Sequence, residues 1–524
     1  MTRQGYRRIV GLSLLLFAPH LFAEAHDTAI VDAPAGAVHG TIERDVVAFK
    51  GIPFAAAPVG DLRWRPPRPV PRWAGTLDAK AFGPACMQTD DIPKSEDCLT
   101  LNIWRPVKAT GKPMPVMVWI YGGALAHGNT AMYLGDGLAR QGVIVVSMNY
   151  RMGRFGFFAF PALSDEAGSN PTANFGYLDQ LAALRWVKAN IAAFGGDPSQ
   201  VTLFGQSAGG GSVLAHLASP MSKGLFARAI LQSPGVPTAR AASLPLVTLG
   251  EAQRSAVNYA ESVGVHDRGF QGLCALRALS AEALLEGASA REVIAGLSSG
   301  KLPDGFPTAI LDGKFLVRSA DEALATGQWN KVPVMVGANS RDLGVGMAMT
   351  KEDLFALFGS RAEEARRLYD PHGTLMFDEL KQQVLADKTL VEPARHLADM
   401  VAASGQPVWL YRFSYVAESQ RSKLSGTPHS FEIPYTFNLP AALVGNAVTA
   451  NDRSMATLAS AYWVAFARSG DPNGPARPTW PPFGRNSSDR VFDFTNHGAA
   501  YGPDPLKARL DLWSSVYEGT GQGR

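Results

Sequence analysis

The stretch Val201-Thr202-Leu203-Phe204-Gly205-Gln206-Ser207-Ala208-Gly209-Gly210 decides how the rest of the chain is read. Apolar and β-branched residues run into a glycine, a serine follows, and small residues lead into a helix-like run from Gly211 to Ala218. Gly205-Gln206-Ser207-Ala208-Gly209 fits the G-x-S-x-G turn, in which a strand passes abruptly into a helix and lifts a serine above the sheet edge. The glycines have a steric reason. The backbone is strained at such a serine, and side chains two residues to either side of it would collide. The helix that follows points its first N–H groups at the site, which favours developing negative charge. A pentapeptide alone is equally a structural turn, so the other residues of the chemistry must be found elsewhere.

On either side of this stretch the chain alternates between strand and helix patterns. Val116-Met117-Val118-Trp119-Ile120 and Val143-Ile144-Val145-Val146-Ser147 are continuous apolar runs, the mark of strands buried on both faces. Residues 178–193 carry helix spacing (Leu181, Leu184, Val187, Ile191) and end at Gly195-Gly196. Residues 229–231, 332–336 and 408–413 read as further strands, 33–47 as hairpin-like strands turning near Glu43-Arg44-Asp45, and 99–104 as an alternating strand. The Pro-rich stretch 51–67 reads as an ordered surface loop, and 454–469 as a helix running into Gly470-Asp471-Pro472. The pattern predicts an α/β fold with a mainly parallel sheet and helices on both faces. Without internal repeats or a low-complexity linker, 26–524 reads as one domain with helical insertions around 240–330 and 345–402.

Composition narrows the function. The 524 residues are 46% hydrophobic and 18% charged, as expected for a globular protein with a sizeable core. Net charge is +3, and removing residues 1–25 takes away Arg3, Arg7, Arg8 and Glu24 and leaves +1, so nothing favours nucleic acid. The N-terminus has the form of an export signal: basic Arg3, Arg7 and Arg8, an apolar run 9–18, and Ala23-Glu24-Ala25 as an A-x-A cleavage pattern before His26. The apolar run is short for a membrane anchor, the alternative reading, and no later stretch is long enough to span a bilayer. An exported protein, periplasmic or secreted, is expected, in which disulfides can form. Of three cysteines, Cys86 and Cys98 stand close enough to close a short loop, and Cys274 is expected to be a buried thiol. No His/Cys spacing suggests a metal site.

A serine hydroxyl needs a base, and the base an orienting acid. With G-x-S-x-G the chain order is serine, acid, histidine. Asp342 lies in Gly337-Ala338-Asn339-Ser340-Arg341-Asp342, just after a strand, as either the acid or a solvated loop residue. Of the later histidines, His372 sits in a turn, His396 in a helical stretch and His497 near the C-terminus. His429 follows a strand and has the best setting of the four. Tyr121-Gly122-Gly123-Ala124 stands where an oxyanion loop belongs, with the N–H groups of Gly123, Ala124 and Ala208 as candidate donors.

With these residues in place the chain resembles the type-B carboxylesterase family of cholinesterase-like and bacterial p-nitrobenzyl-esterase-like enzymes. The likeness is carried by Gly51-Ile52-Pro53-Phe54, Glu96-Asp97-Cys98-Leu99-Thr100-Leu101-Asn102-Ile103, Asn149-Tyr150-Arg151-Met152-Gly153, Asn174-Phe175-Gly176-Tyr177-Leu178-Asp179-Gln180, Phe194-Gly195-Gly196-Asp197-Pro198 and the serine turn. The resemblance implies an α/β-hydrolase fold with a gorge, and cofactor-free hydrolysis of small-molecule esters through an acyl-enzyme. It matches Ser207 to the nucleophile, His429 to the base, and Gly123, Ala124 and Ala208 to the oxyanion donors. It also matches Cys86 and Cys98 to a disulfide, and Glu96 and Arg151 to a structural ion pair. The chain departs from the family at the acid, where Asp342 takes a position usually held by Glu, and at Ala124, usually a third glycine. The short Cys86–Cys98 loop holds no tryptophan, which argues against choline esters. Bulky xenobiotic or mycotoxin esters of the fumonisin type are among the substrates implied. Amide or carbamate hydrolysis on the same triad and a catalytically silent binding protein are the alternatives.

Overall fold

The protein is described by a computed structural model covering residues 29–108, 111–168, 170, 173–235, 245–306, 308–484 and 488–519. The segment 1–25, read above as an export signal, lies outside these residues. An eleven-stranded sheet forms the centre. In chain order its strands are β1 (Thr41–Glu43), β2 (Val46–Pro53), β3 (Thr100–Pro106), β4 (Met114–Ile120), β5 (Ile144–Met148), β6 (Gly196–Gln206), β7 (Arg228–Gln232), β8 (Val334–Asn339), β9 (Val408–Phe413), β10 (Arg490–Thr495) and β11 (Gly498–Pro503). In space they run β11-β10-β9-β8-β7-β6-β4-β5-β3-β2-β1. Every pairing from β5 across to β10 is parallel. The antiparallel pairings lie at the two margins.

The apolar runs explain the middle of this sheet. Consecutive residues Val116, Met117, Val118 and Trp119 of β4 are all buried, as are Val201 to Phe204 of β6, so both sheet faces are covered. Each buried aliphatic or Phe side chain among them contributes roughly 1.5–3 kcal/mol. Among the covering helices, α1 (Phe175–Asn190) packs on β6, and α2 (Ala208–Ala218) on β6 and β7. The chain goes from β4 to β5 on one side and then crosses to β6 on the other. Such a reversal opens a crevice beyond the carboxyl ends of the strands, where ligands bind in open α/β sheets.

After β7 come helices Leu249–Ser262, Phe270–Ala278, Ala281–Leu285 and Ala290–Ser299. Between β8 and β9 lie Lys351–Ala356, Ala362–Tyr369, α3 (Phe377–Ala386), a π-helical turn (Asp387–Val391) and α4 (Glu392–Ala403). A further helix, α5 (Ala450–Ser469), precedes the terminal hairpin β10–β11, and α6 (Lys507–Gly519) follows it. The sequence reading did not assign the hairpin or α6. Helix α6 completes a second, smaller core in which Trp513 and Tyr517 meet Phe358, Tyr369, Leu380 and Val384.

Two expectations are corrected here. Cys274 is exposed, not buried. Its helix turns Gly272, Leu273 and Leu276 inward, and position 274 falls on another side. Glu96 and Arg151 do not pair with each other. Glu96 takes Arg63, whose Nε lies 2.8 Å from Oε2. Arg151 takes Asp179, with Nε–Oδ2 and Nη2–Oδ1 both 2.8 Å. Asp179 is fully buried and also accepts the Arg151 backbone N–H, so it needs the guanidinium beside it. Cys86 and Cys98 do form a disulfide. Its loop is seated by Gln88, whose amide gives to the Gly128 carbonyl at 2.9 Å and takes the Gly128 N–H at 2.8 Å.

Candidate active site

Strand β6 ends at Gln206 and α2 begins at Ala208, leaving Ser207 alone in the turn with φ 56° and ψ −125°. The neighbouring glycines are required by space. A Cβ on Gly209 would stand 2.1 Å from the Ile120 carbonyl oxygen, and one on Gly205 would stand 2.6 Å from the Gly209 carbonyl. Gly122 fits equally tightly, its Cβ position being 3.0 Å from that of Ser207. The loop after β4 is thus pressed against the serine turn. In that loop Ala124 and Leu125 both have positive φ, 54° and 59°.

Asp342 stands three residues past the end of β8, and its side chain is fully buried. Its Oδ1 lies 2.5 Å from His429 Nδ1 and accepts the Leu343 N–H at 2.8 Å. Its Oδ2 accepts the Ser233 hydroxyl at 2.6 Å and the Asn339 N–H at 2.8 Å. Burial raises the pKa of this carboxyl, but the facing imidazole and these donors outweigh it and hold the group below the usual range. Burial likewise works against protonated His429, yet the Asp342 charge and hydrogen bond, helped by Glu432, lift its pKa above the ordinary value. With Nδ1–H donating to Asp342, Nε2 is left as an acceptor. Gln206 Nε2 lies 3.1 Å from it.

The loops carrying these two residues are tied together. Arg341 N–H donates to the Thr427 carbonyl at 3.0 Å, and Asn339 Nδ2 to the Pro428 carbonyl at 2.7 Å. Behind them lies a buried second carboxyl, Glu432, held by Asn339 Nδ2 at 2.5 Å and Gln232 Nε2 at 3.2 Å. Burial pushes its pKa up.

Ser207 and His429 line one cavity of about 330 Å³, together with Gly123, Ala124 and Ala208. Its apolar wall includes Met132, Tyr133, Ile294, Leu297, Val345 and Leu390. Among the described lining residues there is no Lys, Arg, Asp or Glu. His372, His396 and His497 are not part of it: the first and last are exposed in turns, and His396 lies within α4. Sequence reasoning missed Gln206, Ser233 and Glu432 as neighbours of the candidate residues. Ser233 directly follows β7, the strand-end setting that picked out Asp342, and that signal was available.

A serine at a strand–helix turn with positive φ, a glycine loop pressed against it and a buried Asp–His pair stand together beside one cavity of an α/β fold. The chain belongs to the carboxylesterase family, whose sequence profile matches residues 27–372 and 369–513. It is an α/β-hydrolase and a carboxylic ester hydrolase. The chain is 36% identical to the fumonisin B1 esterase of Sphingopyxis macrogoltabida, with 93% of this chain and 91% of the relative aligned. It is 34% identical to the para-nitrobenzyl esterase of Bacillus subtilis, over 88% and 94%. It is 33% identical to the cocaine esterase of Oryctolagus cuniculus, over 91% and 92%.

Proposed function

We propose that Ser207 is the nucleophile, His429 the general base and Asp342 the acid of an acyl-transfer triad. The observation that carries this reading is the 2.5 Å contact of His429 Nδ1 with Asp342 beside a cavity that also holds Ser207. His429 Nε2 takes the Ser207 proton as the oxygen attacks the ester carbonyl. The N–H groups of Gly123, Ala124 and Ala208 receive the oxyanion, and the start of α2 adds its dipole. His429 returns the proton to the leaving alcohol, and water repeats the sequence on the acyl-enzyme. Ser207→Ala, folded and inactive toward a chromogenic ester, is the expected outcome, together with organophosphate labelling at Ser207. Normal turnover by that variant would remove the serine from the mechanism.

The apolar, uncharged wall supports esters that place a neutral apolar group beside the scissile bond. The likeness to a fumonisin B1 esterase makes a bulky mycotoxin or xenobiotic ester the substrate we propose. A panel of esters varied separately in acyl and alcohol size, with fumonisin B1 included and matched amides in parallel, tests this. Faster turnover of the amides would favour the amidase reading.

We also propose that the protein is exported to the periplasm or beyond, which the Cys86–Cys98 disulfide supports. Among the described residues no helix is long and apolar enough to cross a membrane. N-terminal sequencing of the mature protein should begin at His26. A chain retaining Met1 would overturn cleavage.

A further inference from the structure

The loop that carries Asp342 does not end at the acid. Leu343 and Val345, one and three residues on, line the cavity. This loop lies along one helical path, formed by α3 and the π-helical turn. Arg341 pairs with Glu379 at 2.7 Å. Gln382 Nε2 donates to the Asp342 carbonyl at 2.8 Å, and Lys381 Nζ to the Ala348 carbonyl at 3.0 Å. Gly344 packs so closely that a Cβ there would stand 2.5 Å from Leu385 Cβ. At the π turn, the Thr389 hydroxyl takes the Val345 N–H at 3.2 Å and gives to the Val345 carbonyl at 3.4 Å.

A π turn adds a residue to a helical turn, and such turns are frequent at functional sites. Here it sits where one helical path changes partners. Before it, Leu380, Val384 and Leu385 belong to the small core; after it, Ala394, Leu397, Ala398 and Val401 belong to the main core. Two successive residues, Thr389 and Leu390, line the cavity at the turn. The turn is fastened from behind. Asp387 accepts the Tyr369 hydroxyl at 2.7 Å and Arg509 Nε at 2.7 Å, Trp513 Nε1 donates to the Tyr369 oxygen at 3.0 Å, and the Tyr517 hydroxyl donates to the Lys388 carbonyl at 2.8 Å. Arg509, Trp513 and Tyr517 all belong to α6.

We propose that Thr389 is a positioning residue for ester hydrolysis: its hydroxyl fixes the loop that presents Asp342 to His429 and sets the Val345 wall of the cavity. The inference rests on the roles proposed above for Asp342 and His429. Helix α6 contributes by locking the turn from which Thr389 projects. The hydroxyl, not the methyl, is the active part, because it alone reaches both backbone groups of Val345.

Two substitutions separate this from simple packing. Thr389→Ser keeps the hydroxyl, and Thr389→Val keeps the shape. The proton between His429 Nδ1 and Asp342 should resonate far downfield and vanish in Asp342→Asn, giving a readout independent of turnover. The serine variant should keep that resonance and a kcat within about twofold of wild type. The valine variant should shift or lose the resonance and lower kcat by roughly 10- to 100-fold, with KM changed less. A folded Thr389→Val protein with the wild-type resonance and kcat overturns the inference, as does a serine variant as impaired as the valine one. Should Thr389→Val fail to fold, Gln382→Met removes the neighbouring tie to the Asp342 carbonyl and is read the same way. Undiminished turnover by Ser207→Ala would refute the serine reading, while the resonance would still decide the role of Thr389.

Discussion

Asp342 reaches His429 at 2.5 Å across 87 residues of sequence, although its side chain is one methylene shorter than the glutamate usual at this position. The two loops are tied to each other. The Arg341–Thr427 and Asn339–Pro428 hydrogen bonds draw the acid and histidine loops together, and an isolated bridge joins Arg341 to Pro428. Asp342→Asn should keep the fold and lower kcat by about 10³- to 10⁴-fold through loss of the correct imidazole tautomer. Asp342→Glu should also be impaired, because another methylene would have to be fitted into a fully buried site. Steady-state kinetics of both variants check this, and a fully active Glu variant would contradict the fit.

The pH profile follows from the same pair. As the proposed base, His429 must be neutral to act, and its pKa is lifted above 6.5 by Asp342 and Glu432 against the opposing effect of burial. The rate kcat/KM should therefore rise with pH through a midpoint above 6.5. Gln206→Glu would add a carboxylate where the amide now stands 3.1 Å from Nε2. That charge favours imidazolium, so the rising limb should move upward by about one unit. An unmoved limb would mean that residue 206 is not beside the base in the working enzyme.

Ala124 carries a cost that glycine would not. At φ 54° an L-residue is in the left-handed region, disfavoured by roughly 1–2 kcal/mol. Ala124→Gly should raise stability in a denaturant titration by about 1 kcal/mol, part of the relief being lost to the freer unfolded chain. It also removes a methyl from the cavity wall. Turnover of esters with branched groups should increase relative to an acetate ester, and an unchanged ratio would mean that the methyl does not limit substrate size.

How much of this could be read from the sequence depended on how far each feature reached along the chain. Parallel strands such as β4 and β6 announce themselves because both faces are buried and their central runs are almost wholly apolar. The serine turn is legible as a short pattern, although Gly209 is forced by the Ile120 carbonyl on a neighbouring strand. Asp342 and His429 could be nominated from strand ends, but their meeting depends on two loops tied together by a backbone hydrogen bond that any residue could form and by the Asn339 side chain. The partners of Glu96 and Arg151 were misassigned because a charge does not name its counterion; Asp179 sat unremarked in a quoted motif. Cys274 was misplaced for a related reason: composition favours a buried thiol, but only the helix phase decides. The π turn has no sequence signature, and Thr389 gains its contacts solely from where the acid loop lies.

His216 supplies a test of stability that is independent of catalysis. It is fully buried in α2, with Nδ1 2.8 Å from Ser222 Oγ and Nε2 3.1 Å from Gln180 Oε1. Burial pulls its pKa down to about 3, from 6.5. The unfolded chain therefore takes up a proton here below pH 6.5, while the native protein does not until near pH 3. Stability from this residue is complete above pH 6.5 and is lost as pH falls through the interval between the two values. At pH 5 the loss should be on the order of 2 kcal/mol. His216→Gln, which keeps a polar side chain but cannot titrate, should be less stable at pH 8 yet lose less between pH 8 and pH 5. Urea titrations of both proteins at the two pH values measure the difference. Equal losses would mean that His216 is not held neutral in the folded protein.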